Sequence, residues 1–226
     1  MSDKNISILM PIYNGIEFLY LSLESIKLQS YQNYELIIGI NGHPPNSEVY
    51  TKAIEEVNKY PHNDNIFIYD FHEIKGKSNT LNKMVNMCKY DWIALLDVDD
   101  AWHTKKLEMQ TKYIGEYDVI GTYCKYFGDL NNSPTLPVGD LSGFNFFKYN
   151  PIINSSCIIR KTLANWDPTV DGVEDYDLWL KLKKQNKKFY NVNEILTYHR
   201  IHLNSAFNSK GNNLLVDKIK KRYINI

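Results

Sequence analysis

Residues 93–100 read IALLDVDD, an apolar run that stops on three carboxylates within four positions. The aliphatic part suits a buried strand, and Asp is common in turns and at helix N-caps. Crowding Asp97, Asp99 and Asp100 together nevertheless costs electrostatic repulsion. Two readings are open: a plain strand–turn–helix junction, or a site awaiting a divalent cation and a phosphate. Strand alternation would put Asp97 and Asp99 on one side and Val98 on the other. Carboxylate oxygens are hard ligands suited to Mg²⁺ or Mn²⁺, which are typically held by one or two carboxylates while phosphates and water complete the shell. Asp100 is expected to serve the turn, or to cap a helix starting near Thr104. Asp-x-Asp alone is common by chance, so the surrounding chain must decide.

Similar β-rich apolar runs occupy 6–12, 35–40 and 66–71, with 92–98 as the fourth. Between them, Phe18, Leu19, Leu21, Leu23 and Ile26 recur at helical spacing, as do Val49, Ala53, Ile54 and Val57, and then Leu81, Met84, Val85 and Cys88. Leu107, Met109, Tyr113 and Ile114 continue the pattern after the carboxylates. Strand–helix alternation of this kind predicts an α/β fold, with a mostly parallel sheet covered by helices on both faces. In such sheets ligands bind beyond the carboxyl ends of the strands. Those ends carry Tyr13-Asn14-Gly15, Asn41-Gly42-His43, Asp70 to His72 and Asp97 to Asp100, which are expected to line one rim.

After residue 118 the texture becomes irregular. Strands are expected at 118–124, 153–160, 188–192 and 195–201, an amphipathic helix over EDYDLWLKLKKQN, and a last helix near 213–224. No linker separates two units, so one domain over 1–226 is expected, with a nucleotide-type half over 1–100 and a second half over 101–226.

Composition narrows the function classes. The 226 residues are 43% hydrophobic and 23% charged, which points to a folded globular chain rather than disorder. Twenty-six basic residues balance 26 acidic ones, so no basic excess argues for nucleic acid. Cys88, Cys124 and Cys157 form no metal-binding spacing, which suits a reduced cytoplasmic protein. The N-terminal apolar run is too short for a signal peptide, and no stretch approaches the ~20 apolar residues of a membrane span. The last helix pairs Leu214, Leu215, Ile219 and Tyr223 with Lys218, Lys220, Lys221 and Arg222. It could touch an anionic membrane peripherally, although a solvated face is the simpler reading.

Two further clusters could carry chemistry. Glu174 and Asp175 open the amphipathic helix, where acidic residues favourably meet the helix dipole; alternatively, one is a general base for an alcohol nucleophile. Arg200 and His202, in YHRIHLNS, alternate onto one face of a predicted strand and could meet a diphosphate or a metal.

Taken together, SILMPIYNGIEFLYLSLESIKLQSYQNYELII, LNKMVNMCKYDWIALLDVDDAW, GVEDYDLWLKL and LTYHRIHLNS resemble the family 2 glycosyltransferases, inverting enzymes of the GT-A fold. The resemblance runs to about residue 207. It implies that Pro11, Tyr13 and Asn14 hold the nucleoside of a nucleotide-sugar donor, with Asn82 on the helix before the Asp-x-Asp. It implies that Asp97 and Asp99 position the ribose and a metal-bound diphosphate, with Mn²⁺ or Mg²⁺ as cofactor. Asp175 matches the general base, Glu174 its orienting partner, Trp179 a packing residue, and Arg200 and His202 a segment near the diphosphate. The expected acceptor is a glycan, a lipid-linked sugar or a protein, bound by the second half of the chain.

The chain departs from the family at Asn41, where many relatives carry Asp. An amide carbonyl can accept from a uracil or thymine imide N–H but serves guanine less well, which favours UDP- or dTDP-sugars. Leu81 and His199 replace a common Arg and Tyr. An inactive nucleotide- or glycan-binding module is the alternative, but it would have no need of the Glu174–Asp175 pair. A sugar nucleotidyltransferase would need a Gly-rich loop that PIYNGIEF does not supply.

Overall fold

The structure is a computed structural model that describes residues 4–61, 63–202 and 212–224. In chain order the elements are β1 (Ile6–Ile12), α1 (Leu19–Lys27), β2 (Tyr34–Asn41), α2 (Glu48–Asn58), β3 (Ile66–Phe71), α3 (Lys77–Val85), β4 (Trp92–Leu95), β5 (Ala101–Trp102) and α4 (Lys106–Thr111). The second half adds β6 (Val119–Gly128), β7 (Gly139–Asp140), β8 (Ile158–Arg160), α5 (Glu174–Lys184), β9 (Phe189–Ile201) and α6 (Asn212–Ile224).

The strands form one sheet in the order β3-β2-β1-β4-β8-β6-β9-β5, with β7 paired to β9. Its first four strands are parallel, as the alternating pattern predicts. Beyond them the sheet is mixed: β8 runs antiparallel to both β4 and β6, whereas β6 and β9 are parallel. The α/β expectation holds, and every antiparallel pairing involves a strand of the second half.

Period-two alternation divides the core between the two faces. Ile6, Ile8, Met10 and Ile12 of β1 pack with Leu19, Leu23 and Ile26 of α1 and with Ala53 and Val57 of α2. Leu9 points the other way, into a layer containing Leu81 and Met84 of α3 and Leu178, Trp179 and Leu182 of α5. Trp179 is thus the packing residue it was expected to be. Close packing also explains one glycine: a Cβ on Gly39 would lie 2.9 Å from both Met84 Sδ and Phe71 Cε2.

Three local expectations are corrected. The fourth strand ends at Leu95, not at residue 98, because the chain turns there and Asp100 N donates to Asp97 O at 3.0 Å. Within 153–160 only Ile158–Arg160 is strand; Asn154–Ser156 is a 3₁₀ turn, supported by Ser156 Oγ donating to Ile153 O at 2.7 Å. The segments 188–192 and 195–201 fuse into β9, whose register against β6 shifts on either side of Tyr123. Among the described residues no helix is long and apolar enough to cross a membrane.

Replacing Gly39 with Ala should destabilise the protein by about 1–3 kcal/mol through overpacking between β3 and α3. Chemical denaturation of the two proteins checks it; equal midpoints would show that the layer yields freely.

Candidate active site

A cavity of about 1230 Å³ opens at the carboxyl ends of the parallel strands. Pro11, Tyr13 and Asn14 line it from β1, Asn41, Gly42 and His43 from β2, and Asp97, Val98 and Asp99 from the turn after β4. Three of the four expected strand ends therefore share a rim. Asp70 to His72 do not line it, and Asp70 Oδ2 accepts from Asn46 N at 2.9 Å; Lys75, Gly76 and Lys77 line the cavity in their place. At the outer end the Tyr13 ring, 55% exposed, lies 5.2 Å from the His43 ring.

A second cavity, of about 510 Å³, adjoins the first. The two share Lys77, Asp97, Gly172, Glu174 and His199, whereas Asn150, Asn154, Asp175, Tyr126, Tyr149 and Tyr176 belong to the second alone.

At the shared wall, Lys77 Nζ lies 2.7 Å from Asp97 Oδ1 and 3.4 Å from Glu174 Oε1. Burial opposes the ammonium charge, but the two carboxylates outweigh it and hold Lys77 above the ordinary lysine range. Burial likewise opposes ionised Asp97, yet Lys77 keeps its carboxyl below the usual value. Lys77 is placed by the start of α3. Gly76 adopts φ +86°, a conformation that favours glycine, and Ser78 N donates to Asp171 Oδ1 at 3.0 Å.

One short segment grips both carboxylate groups. Asn154 Nδ2 lies 3.3 and 3.4 Å from the two oxygens of Asp97, and Asp97 N donates to Ser155 Oγ at 3.0 Å. Four residues earlier, Asn150 Nδ2 donates to Asp175 Oδ2 at 2.9 Å. Asp175 Oδ1 accepts from Tyr176 N, and Glu174 Oε2 accepts from Gly172 N, both at 2.6 Å. Burial first, and the charge of Glu174 second, push the Asp175 carboxyl up to about 6.

The turn after β4 assigns its three carboxylates different work. Asp97 is paired with Lys77. Asp99 Oδ2 meets His202 Nε2 at 3.0 Å, and burial with the charges of Asp100 and Asp97 pushes Asp99 up to about 6. Asp100 closes the turn as expected but caps no helix. It is fully buried, with Oδ1 accepting from Arg200 N at 2.8 Å and Oδ2 lying 2.9 Å from His199 Nδ1. Burial resists charge on His199, yet Asp100 raises it to about 9.

Two residues expected at the donor, Arg200 and Asn82, lie outside the lining of both cavities. Arg200 does not line either cavity: its guanidinium lies 4.4 Å from the Phe18 ring centroid and 4.3 Å from that of Phe127, and Nε donates to Asp99 O at 2.9 Å. It braces the turn from behind. His202, just past the end of β9, reaches the first cavity alone. Asn82 is consumed by Trp166: its Nδ2 donates to Trp166 O at 2.8 Å and its Oδ1 accepts from Trp166 N at 2.9 Å. Lys77, Asn150 and Asn154 had no motif to reveal them, because their partners are distant in sequence.

The donor set suits a partial metal shell. Asp99 supplies a hard carboxylate beside His202, and no group of three or more His, Cys, Asp or Glu among the described residues could enclose an ion. An ion here would depend on phosphate and water for the remaining ligands, the usual state of Mg²⁺ and a common one for Mn²⁺.

An α/β sheet with carboxylates in the turn after its fourth strand, beside an open cleft, is an arrangement that suits a glycosyltransferase. The chain belongs to glycosyl transferase family 2, whose sequence model matches residues 7–161. It is 28% identical over 220 residues to the UDP-Glc:alpha-D-GlcNAc-diphosphoundecaprenol beta-1,3-glucosyltransferase WfaP of Escherichia coli, covering 93% of this chain and 82% of that protein. It is 29% identical over 216 residues to the O-antigen biosynthesis glycosyltransferase WbnJ of the same species, covering 89% and 81%. Among solved structures it is similar to Staphylococcus aureus TarS 1–349 in complex with UDP-GlcNAc, with a TM-score of 0.77 at 15% identity over 98% of this chain and 67% of that one. The Pyrobaculum calidifontis mannosyltransferase PcManGT, in complex with GDP-Man and Mn²⁺, superposes with a TM-score of 0.67 at 11% identity over 97% and 61%.

Substituting Asp100 by Ala would leave Arg200 N and His199 without their shared acceptor. The expected cost is about 3 kcal/mol of stability, read by denaturant titration; a loss below 1 kcal/mol would show that Asp100 is not the brace described.

Proposed function

We propose that the enzyme transfers a sugar, with inversion, from a UDP- or dTDP-sugar to the hydroxyl of a sugar acceptor. The observation that carries this reading is the shared wall. Lys77 joins Asp97, in the nucleotide cavity, to Glu174, beside the Asp175 of the second cavity. A donor anomeric carbon at that junction would face leaving group and nucleophile from opposite sides.

The donor reading rests on Asn41, buried to 3% exposure at the cavity's edge, whose carbonyl suits an imide N–H. UDP-Glc in the name of WfaP and UDP-GlcNAc in the TarS complex agree with it. The nucleoside would lie along Pro11, Tyr13 and Asn14, and the diphosphate toward Asp99 and His202. Asp99 and His202 would hold a divalent cation, which when bound neutralises charge growing on the departing diphosphate. Asp97, already paired with Lys77, would be a weaker ligand and would instead face the donor.

Asp175 takes the acceptor proton as the acceptor oxygen bonds to the anomeric carbon. The carbon–oxygen bond to the diphosphate breaks on the opposite face, and the electron pair leaves with the diphosphate. Such a base needs only hydrogen-bonding reach and a carboxyl that is ionised at the working pH. Asn150 and the Tyr176 amide fix its oxygens. Glu174 and Lys77 are the charged neighbours facing it, and Lys77 opposes the upward push of Glu174.

The acceptor would enter the second cavity, where the half-buried Tyr126 and Tyr149 would stack on a pyranose. A lipid-linked acceptor, as in the name of WfaP, would bring the protein to a membrane surface. The outward face of α6, with Leu214, Lys218 and Lys221 exposed, would suit that approach.

Asp175→Asn should abolish transfer while leaving UDP affinity within about twofold, and retained turnover would refute the base assignment. Asp99→Ala should remove the Mn²⁺-dependent part of UDP binding measured by calorimetry. GDP binding tighter than both UDP and dTDP would overturn the donor reading. In the wild type, kcat/KM should fall below about pH 6, reaching roughly a tenth of its plateau at pH 5, because a raised base pKa loses its ionised form as pH drops.

A further inference from the structure

Glu17, Asp97, Asp99, Asp171 and Glu174 line the first cavity, so a diphosphate entering it needs cationic donors. The nearest cations are mostly committed elsewhere. Lys77 is held between Asp97 and Glu174, and Arg200 braces the turn from behind. Lys75 is exposed and lines the first cavity alone. His199 differs from these: it lines both cavities, and only one of its two nitrogens is spent. Nδ1 lies 3.0 and 2.9 Å from the two oxygens of the fully buried Asp100 carboxylate, which accepts and does not donate, so Nδ1 carries hydrogen. Burial resists charge on the ring, but the carboxylates of Asp100, Asp97 and Asp99 outweigh it, and both nitrogens are donors at neutral pH. Nε2 bonds to nothing among the described residues, yet it is not one of the buried atoms left without a partner, so it is open to the cavities. The ion pair at one nitrogen thus fixes the ring and leaves a charged N–H accessible at the other.

We propose that His199 is a catalytic residue of the transfer, its Nε2–H donating to the β-phosphate of the nucleotide-sugar and stabilising the departing diphosphate. The inference rests on the glycosyltransferase reading above. The β-phosphate carries the bond to the anomeric carbon, so of the two phosphates it lies nearer the junction of the cavities, where His199 stands. A charged donor favours an anionic phosphate oxygen over a neutral sugar hydroxyl, since charge-assisted bonds are roughly twice as strong as neutral ones. No proton is transferred by His199. As the carbon–oxygen bond breaks, the electron pair stays with the diphosphate, the hydrogen stays on Nε2, and the bond between them strengthens with the growing charge.

The test exchanges His199 for the two amides that each imitate one ring nitrogen. In His199→Asn the amide can keep the bond to Asp100 but falls short of the cavities. In His199→Gln the amide reaches the place of Nε2 and gives up Asp100. Calorimetry with UDP and with UMP, at one fixed Mg²⁺ concentration, reads the preference for the second phosphate. That preference should fall about tenfold in His199→Asn and stay within about threefold of the wild type in His199→Gln. A preference kept in His199→Asn, or lost at least as far in His199→Gln, would make His199 only a brace for the turn and overturn the inference. Each preference is a ratio within one protein, so a smaller folded fraction cancels. Histidine-selective NMR of the wild type gives a reading that needs no variant: one charged imidazole should shift its Nε2 signal with UDP and not with UMP. If no charged ring responds to UDP, the inference is wrong whether or not the variants fold. Those failures would leave the donor reading standing, whereas a wild type that binds neither UDP nor dTDP would overturn that reading and this inference together.

Discussion

The site depends on one buried ammonium. Lys77 sits between Asp97 and Glu174, and without it the shared wall of the two cavities would hold carboxylates facing one another across a poorly solvated space. Burying charge is costly unless it is paired, and here three charged groups satisfy one another. Much of the second half of the chain serves this arrangement. Asp171 fixes the start of α3 and hence Lys77, the turn at 154–156 steadies Asp97, and Asn150 steadies Asp175.

The same network explains why the Asp-x-Asp turn is tolerable. Its carboxylates do not repel one another freely, since each has a separate partner: Lys77 for Asp97, His202 for Asp99, and His199 with the Arg200 amide for Asp100. The late YHRIH segment therefore completes the turn chemically, although about 100 residues separate the two in the chain. Arg200 contributes through its backbone, its bond to Asp99 O and its packing between two rings, while the flanking histidines reach the cavities.

Much of this was legible in the sequence. Alternating apolar runs located the parallel strands and their helices, because strands buried on both faces and one-sided helices leave different periodicities. The polar strand ends at Tyr13, Asn41 and Asp97 followed from topology. Beyond residue 118 the pattern weakened: Asn154 and its serines read as part of a strand, yet Ser156 Oγ bonds back to Ile153 O and the segment forms a turn. Asp100 read as a turn or cap residue; it closes the turn, and its bonds to His199 and Arg200 of β9, far off in sequence, were not legible. Lys77, Asn150 and Asn154 were invisible because a lone Lys or Asn carries no periodic signal, and only the fold brings each to its carboxylate. Asn82 and Arg200 show the converse: the residue type matched its expected role, and packing gave it another.

The account turns on Lys77 as the link between the donor side and the acceptor side of one transfer site. The most direct measurement is the steady-state kinetics of Lys77→Met, with circular dichroism to confirm the fold. Loss of the ammonium leaves Asp97 and Glu174 to repel, so kcat/KM for transfer should fall by about a hundredfold or more. UDP affinity should fall as well. A folded Lys77→Met protein that transfers sugar at the wild-type rate would contradict the account.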